Sequence, residues 1–270
     1  MQKRAAVIND FASFGRCSLA VSIPILSAMK VQCCPVPTAI FTNHTGFPSF
    51  QWTDYTPHMD GYIEEWRKLG LKFNAVQTGF LGSEAQIDYV FRFLDAFGKG
   101  ALVCIDPVMG DYGKLYSTYS RELAESMRRF LAVADVLTPN LTEACVLADL
   151  PYDPDITDAA LQKVARHLSA PHNAKVVITG IPRGTNLVNY VYEDGVSTLV
   201  ETPKLGEDRS GTGDVFSSVV LGALMNGQGF LNAVDTANLF VAHAVEASIR
   251  LQTPLKDGLA IEEVLGDLVC

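Results

Sequence analysis

The stretch Gly206-Glu207-Asp208-Arg209-Ser210-Gly211-Thr212-Gly213-Asp214-Val215-Phe216 joins a polar loop to an apolar helix predicted over residues 215–225. Glycines at such a junction let backbone N–H groups converge without Cβ clashes. The free N–H groups and the helix dipole favour an anion, such as a phosphoryl group in transfer. Asp214 lies at the rim of this cradle, where a carboxylate is costly unless it handles a proton or faces a cation. Taken alone, however, Thr212 or Asp214 could simply cap the helix.

Apolar runs alternate with helical patterns along most of the chain. Strands are predicted at residues 5–8, 36–41, 73–78, 101–105, 133–137 and 175–179, and helices at 15–29, 57–69, 83–97, 121–132, 142–148 and 157–168. This alternation predicts an α/β fold with a mainly parallel central sheet and helices on both faces.

The pattern changes before the anion-binding loop. Residues 187–192 and 196–201, joined by a turn at 193–195, predict a β-hairpin. Helices are then predicted at residues 215–225, 230–250 and 261–268. The chain shows no linker, repeat or low-complexity segment, so residues 1–270 are predicted to form a single domain.

Composition excludes several classes of function. The 270 residues are 48% hydrophobic and carry a formal net charge of −9, with scattered Lys and Arg, which argues against a nucleic-acid partner. No apolar run is long enough to span a membrane, and the N-terminus has no signal-peptide pattern, so a cytoplasmic protein is expected. The six cysteines form no C-x-x-C pair and no zinc spacing, which predicts free thiols in a reducing compartment.

Polar residues follow nearly every predicted strand, at the sheet edge where parallel sheets bind ligands. They include Asn9, Asp10, Thr42, Asn43, His44, Thr45, Thr78, Ser83, Asp106, Thr138, Asn140, Thr142, Glu143 and Thr179. Each has a structural alternative, because such residues also form turns and helix caps. Asp106 and Glu143 suit Mg²⁺ held near phosphates, but a turn or cap is equally consistent with their spacing. His44 beside Phe41 suits a planar polar ligand, although a lone histidine is more often structural.

Taken together, these motifs resemble the ribokinase superfamily and, within it, the pyridoxal and pyridoxamine kinases of vitamin B6 salvage. The similarity runs from about Val7 to the helix after Asp214. Its most specific parts are Phe41-Thr42-Asn43-His44-Thr45, Gly79-Phe80-Leu81-Gly82-Ser83 and Asp106-Pro107-Val108-Met109-Gly110. The resemblance implies a ribokinase-like fold and ATP-dependent phosphorylation of the 5′-hydroxymethyl group of a B6 vitamer, with a homodimer as the expected assembly.

The resemblance also implies roles for individual residues. Asp214 is expected to be the general base, with the N–H groups of Gly211, Thr212 and Gly213 facing the γ-phosphoryl group. Asp106 and Glu143 are expected to hold Mg²⁺ near ATP, with a monovalent cation as an additional option. Expected nucleotide contacts are Asp106, Thr138, Asn140, Glu143, Thr179 and Lys204. The ring pocket is expected to contain Asp10, Phe41, His44, Thr45 and Phe80, and residues 109–116 are expected to form a flap over ATP.

Two positions depart from the family pattern. Asp10 stands where many pyridoxal kinases have serine, which suggests a preference for pyridoxamine or pyridoxine over pyridoxal. Phe80 stands where some relatives have tyrosine, which removes a hydroxyl from the expected pocket.

Other functions remain as alternatives to a B6 kinase. One is a hydroxymethylpyrimidine or sugar kinase of the same superfamily, and another is a non-catalytic protein that binds pyridoxal phosphate. An NAD-dependent oxidoreductase is rejected, because residues 9–15 lack the G-x-G-x-x-G fingerprint after the first strand.

Overall fold

One large sheet organises the computed structural model, which describes residues 2–269. Its strands are β1 Lys3–Ala12, β2 Val31–Phe41, β3 Trp52–Asp54, β4 Ala75–Thr78, β5 Leu102–Ile105, β8 Val136–Leu137, β9 Lys175–Arg183, β10 Asn186–Glu193 and β11 Val196–Pro203. A separate small sheet pairs β6 Gly110–Asp111 with β7 Lys114–Leu115. The order in the large sheet is β11-β10-β9-β8-β5-β4-β1-β2-β3.

The large sheet is mainly parallel, as predicted. Strands β2, β1, β4, β5, β8 and β9 pair in parallel along its centre. At one edge β9, β10 and β11 form an antiparallel meander, which includes the predicted hairpin, and at the other edge β3 adds antiparallel to β2. The carboxyl ends of the parallel strands therefore meet at one edge, where the candidate residues were expected.

Helices cover both faces because the strand residues are apolar on both sides. On one face lie α2 Thr56–Lys68, α3 Glu84–Phe97, α4 Arg121–Ser126, α5 Leu141–Leu147 and α6 Asp158–Ser169, and on the other α1 Ser18–Ala28, α7 Thr212–Met225 and α8 Phe230–Arg250. In β1, Ala6 and Ile8 enter the first core, whereas Ala5 and Val7 enter the second. This alternation separates two hydrophobic cores across a single sheet.

Three local predictions are wrong. The helix predicted at residues 121–132 is α-helical only in α4, Arg121–Ser126, and continues as a 3₁₀ helix, Met127–Ala132. The strand predicted at residues 133–137 is shorter, because only β8, Val136–Leu137, is a strand. The helix predicted at 261–268 is two 3₁₀ turns, Ile261–Glu263 and Leu265–Leu268, since so short a segment gains little from helix propagation. Strand β3 was missed because all three of its residues are exposed and leave no apolar run.

Five of the six cysteines lie within the described residues 2–269. Cys17, Cys33, Cys34, Cys104 and Cys145 are free thiols, as predicted, and Cys270 lies outside the described residues. In the same range, every helix is too short or too polar to cross a lipid bilayer.

Candidate active site

Gly211 forms the turn that precedes α7 and leaves no room for a side chain. Its φ of 77° lies in the left-handed region, and a Cβ there would stand 1.9 Å from the carbonyl oxygen of Arg16. Within the described chain no side chain caps this helix, and Thr212 Oγ1 instead donates to the Arg209 carbonyl at 2.9 Å. The first N–H groups of α7 therefore point toward an open anion site.

Asp214 lies in the first turn of α7 and is held by two donors. Its Oδ1 accepts a hydrogen bond from Asn9 Nδ2 at 3.1 Å, and the backbone N–H of Ser18 also donates to the carboxylate. Burial raises the pKa of Asp214 above its usual range, while these two donors partly offset that rise. A carboxylate with a raised pKa, placed at an anion site, is suited to accepting a proton.

Three more carboxyl groups surround Asp214 at the carboxyl ends of the strands. Burial raises the pKa of Asp10 to about 7, with repulsion from Asp214 as a further cause. Burial also raises the pKa of Asp106 to about 7, again with repulsion from Asp214. The pKa of Glu143 rises for the same reason, with Asp106 as the repelling neighbour. The strand ends thus gather negative charge that a cation or a proton can relieve.

Asp10 is expected to make the stability of the folded chain depend on pH. The pKa of the Asp10 carboxyl is about 7 in the folded chain and 3.8 when it is exposed. Its contribution to the free energy of unfolding is therefore fully present below about pH 4 and is lost as the pH rises through about 7. Asp10→Asn is expected to remove up to about 4 kcal/mol of the pH-dependent change in the free energy of unfolding. Urea unfolding at several pH values checks this, with the exposed loop variant Asp155→Asn as control. Equal pH dependence in wild type and Asp10→Asn would contradict the assignment.

Glu143 and Asn140 form a capping box at the start of α5. Glu143 Oε2 accepts from the Asn140 N–H at 2.9 Å, and Asn140 Oδ1 accepts from the Glu143 N–H at 3.0 Å. The two side chains also hold residues 109–110, because Glu143 Oε1 accepts from the Met109 N–H and Asn140 Nδ2 donates to the Gly110 carbonyl. Both residues therefore have a structural role, and their predicted ligand contacts stay predictions.

Phe41 and Phe80, which were predicted to belong to a ring pocket, lie in contact. Their ring centroids lie 6.0 Å apart in an edge-to-face arrangement, and Phe41 stacks on Trp52 at 5.6 Å. Phe41 is 2% exposed and Phe80 is 8% exposed, so each presents only a small part of its ring. Thr45 is half-buried in the loop that follows β2. Asp10 is buried nearby on β1 and accepts a hydrogen bond from Ser18 Oγ at 2.6 Å.

His44 uses both ring nitrogens within the protein. Nδ1 accepts from the Gly46 N–H at 3.1 Å, so Nε2 carries the proton and donates to the Lys256 carbonyl at 2.7 Å. The ring also packs on Phe47, with centroids 4.6 Å apart. His44 therefore fastens the loop after β2 to the C-terminal segment, and any contribution to ligand binding must come from its ring surface.

A pocket of about 160 Å³ lies between the hairpin, the loop before α7 and α8. It is lined by Thr179 and Lys204, two of the predicted nucleotide contacts, and by residues that the sequence did not single out, among them Asn189, Phe216 and Asn238. Asn189 Nδ2 donates to Asn238 Oδ1 at 2.5 Å, while Asn238 Nδ2 has no partner among the described residues. A buried amide donor without a partner is energetically costly.

The expected flap is the small hairpin of β6 and β7. Its turn contains Tyr112 and Gly113, both with positive φ. The Tyr112 hydroxyl donates to the Asp208 carboxylate, and Asp208 also lies 3.4 Å from Lys204 Nζ. The flap therefore reaches the loop that precedes α7, beside the pocket of Lys204. Tyr116, at the end of the flap, faces the carboxylates of the site, which add to the rise that burial produces in its pKa.

Asn9 makes three hydrogen bonds within the candidate site, although no sequence pattern distinguished it. Its Oδ1 accepts from the N–H groups of Phe80 at 2.8 Å and Asp10 at 2.9 Å, while its Nδ2 reaches Asp214. The sequence placed Asn9 at a strand end but offered no reason to prefer it over its neighbours. Only the folded chain shows that one amide joins the candidate base to the ring pocket.

Comparisons with known proteins agree with this geometry. Residues 23–256 match the phosphomethylpyrimidine kinase family. The chain is 28% identical to a pyridoxine/pyridoxal/pyridoxamine kinase of Bordetella bronchiseptica, over 88% of this chain and 87% of that one. A crystal structure of a putative phosphomethylpyrimidine kinase from Bacteroides thetaiotaomicron, in a form with pyridoxal, has a TM-score of 0.96 and 39% identity, covering 100% of this chain and 96% of that chain.

A pyridoxal kinase structure from Lactobacillus plantarum has a TM-score of 0.92 and 26% identity, covering 100% and 97% of the two chains. These similarities confirm the resemblance to B6 kinases that the motifs indicated. The phosphomethylpyrimidine kinase match extends over most of the sequence, from the first helix to the segment after α8. The chain therefore belongs to the phosphomethylpyrimidine kinase family.

Proposed function

We propose that this chain transfers the γ-phosphoryl group of ATP to the 5′-hydroxymethyl group of a vitamin B6 vitamer: pyridoxal, pyridoxamine or pyridoxine. The observation that carries the proposal is the position of Asp214. Its carboxylate stands at the open N-terminus of α7 and is tied through Asn9 to the Phe80 backbone of the ring pocket. A proton acceptor, an anion site and an aromatic pocket are thereby adjacent.

Asp214 acts as the general base in this proposal. It takes the proton of the hydroxymethyl group as the oxygen attacks the γ-phosphorus, and the bond to the β-phosphate oxygen breaks. The N–H groups of Gly211, Thr212 and Gly213 face the charge on the transferring group, which positions and stabilises it. The raised pKa of Asp214 supports the role, because a more basic carboxylate accepts a proton more readily near neutral pH.

ATP is the phosphoryl donor in this proposal, with its base in the pocket between the hairpin and α8. Lys204 and Thr179 line that pocket, beside the hairpin residue Asn189. Thr138, Asn140, Asp106 and Glu143 lie toward the phosphates. Membership of a kinase family supports ATP as the cosubstrate.

Mg²⁺ fits the residues between the two pockets. Asp106 and Glu143 supply oxygen donors, and burial raises the pKa of both, with repulsion from Asp214 at Asp106 and from Asp106 at Glu143 as further causes. We assign the metal to Asp106 and Glu143, directly or through water, and a monovalent cation fits the same oxygen-rich surroundings. The metal ion neutralises phosphate charge when bound. Within residues 2–269 no cluster of three His, Cys, Asp or Glu side chains could hold a metal ion, and in this proposal the phosphates of ATP supply the remaining ligands.

Asp10 is the residue that we expect to set vitamer preference. It is buried beside Asp214, and its carboxylate can pair with a protonated ring nitrogen or an amino substituent. Asp10→Ser is expected to raise kcat/KM for pyridoxal relative to pyridoxamine by about tenfold, the effect of one charged hydrogen bond. Steady-state kinetics with the three vitamers checks this, and an unchanged ranking would contradict it.

Phosphorylation of hydroxymethylpyrimidine is the second candidate, since residues 23–256 match the phosphomethylpyrimidine kinase family, which is named for a related pyrimidine. The edge-to-face pair of Phe41 and Phe80 suits either aromatic ring and disfavours a sugar. Phosphoryl transfer from ATP, measured with pyridoxal, pyridoxamine, pyridoxine and hydroxymethylpyrimidine, separates the candidates. We expect the highest kcat/KM for a B6 vitamer. Binding without transfer to any of the four would indicate a non-catalytic binding protein.

We propose that residues 1–270 act as a single kinase domain, supported by two hydrophobic cores that share one sheet. We further propose that the protein is a homodimer, as the resemblance to B6 kinases implies. We also propose that it lies in the cytoplasm, supported by the free thiols of residues 2–269. Light scattering coupled to size exclusion measures the assembly state directly.

A further inference from the structure

We propose that Asn9 is a positioning residue, which fixes the Asp214 carboxylate relative to the ring pocket so that the base meets the acceptor hydroxyl. The kinetic readout of this proposal rests on the proposed kinase function. Its structural readout, the orientation of the Asp214 carboxylate, does not.

The Asn9 amide joins three parts of the site. Nδ2 donates to Asp214 Oδ1 on α7 at 3.1 Å. Oδ1 accepts from the N–H of Phe80, after β4, at 2.8 Å and from the N–H of Asp10, on β1, at 2.9 Å. Asn9 is 4% exposed, so water cannot readily replace these contacts. One side chain therefore links the candidate base to the Phe80 backbone, in addition to the Ser18 N–H that also holds Asp214.

Gly79 gives Asn9 the space that this arrangement requires. A Cβ on Gly79 would lie 2.3 Å from Asn9 Cγ and Nδ2, although the φ of Gly79 is not positive. The need for glycine at this position therefore comes from the neighbouring amide and not from backbone strain. Gly79 is itself held by a hydrogen bond from its N–H to the Ile8 carbonyl at 2.9 Å, so it cannot easily move away.

An asparagine side chain is chemically suited to this position. It accepts with one atom and donates with the other, and both functions are used. Aspartate keeps the acceptor for Phe80 and Asp10 but places a second carboxylate against Asp214. Alanine removes both functions. The two substitutions therefore separate the bond to the base from the bonds to the backbone.

The kinetic test compares Asn9→Ala and Asn9→Asp with wild type at saturating pyridoxal and ATP, at about pH 9, where carboxylates hold least proton. We expect kcat to fall by about 10- to 100-fold in both variants, the loss of one hydrogen bond to a charged group. The KM for ATP should stay within about twofold, since the nucleotide pocket is intact. Asn226→Ala is the matched control, because that amide donates to the Met29 carbonyl at the far end of α7.

Two results would overturn the proposal. One is recovery of wild-type kcat in Asn9→Asp but not in Asn9→Ala, which would show that only the backbone contacts matter. The other is wild-type kcat in Asn9→Ala itself. Gly79→Ala adds an independent check: it should lower kcat by displacing Asn9, and the Gly79→Ala, Asn9→Ala double variant should be no slower than Asn9→Ala.

The orientation of the Asp214 carboxylate can be tested without any assumption about the reaction that the protein catalyses. If wild type transfers phosphate to no vitamer, the function fails while the position of Asp214 can still be measured. Crystal structures of the wild type and of Asn9→Ala give the two orientations of the Asp214 carboxylate. In the variant, we expect this carboxylate to be turned away from its wild-type orientation. An unchanged carboxylate would refute the positioning role of Asn9.

Discussion

Asp214→Asn is expected to lower kcat for vitamer phosphorylation by about 10²- to 10⁴-fold, the usual contribution of a general base. The side chain keeps its size but loses the capacity to accept the hydroxymethyl proton. Because the hydrogen-bonding shell from Asn9 and Ser18 needs only small adjustment, ATP and pyridoxal should still bind. Steady-state assays give kcat, and calorimetry gives the two affinities.

The matched control is Asp95→Asn, which makes the same chemical change at an exposed position on α3. It should leave kcat unchanged. If Asp214→Asn turned over pyridoxal at the wild-type rate, Asp214 could not be the base. If Asp214→Asn lost both kcat and ligand affinity, the carboxylate would serve the arrangement of the site and not the proton transfer.

The fold could be predicted largely because its signals are local. In the parallel strands, apolar residues face both cores, as Ala5 to Ile8 do in β1, so each strand reads as a continuous apolar run. The turn Asp194-Gly195, with positive φ at both residues, marked the hairpin of β10 and β11. Segments without such signals were missed, as with the exposed β3, or assigned too much helix, as with residues 127–132.

The site was less predictable, because its contacts join residues far apart in the sequence. The motifs placed Asp214, Asp106 and Glu143 at the correct edge of the sheet. No sequence pattern links Asn9 to Asp214 or Asn189 to Asn238, and these pairs meet only through the fold. The prediction for Glu143 shows a second limit: an acidic residue three positions after Asn140 suits a capping box and a metal site equally, and the structure shows the capping box.

Gly211→Ala is expected to disable the anion site and destabilise the fold together. An alanine Cβ would lie 1.9 Å from the Arg16 carbonyl oxygen, which is backbone and cannot rotate away. The left-handed φ of 77° adds a cost of about 1–2 kcal/mol, and the forced shift adds about 1–3 kcal/mol. We therefore expect kcat to fall by more than about 100-fold, as on loss of an oxyanion donor, and Tm to fall by several degrees.

Gly213→Ala in the same loop separates steric exclusion from a general intolerance of side chains. A Cβ at Gly213 meets no atom within 4 Å among the described residues, and its φ is not positive. Its Tm should therefore stay close to that of wild type, because alanine favours the first turn of a helix more than glycine does. Equal losses of Tm in the two variants would show that the loop resists any side chain. A stable and active Gly211→Ala would show that the N–H groups at this helix end do not need the left-handed turn.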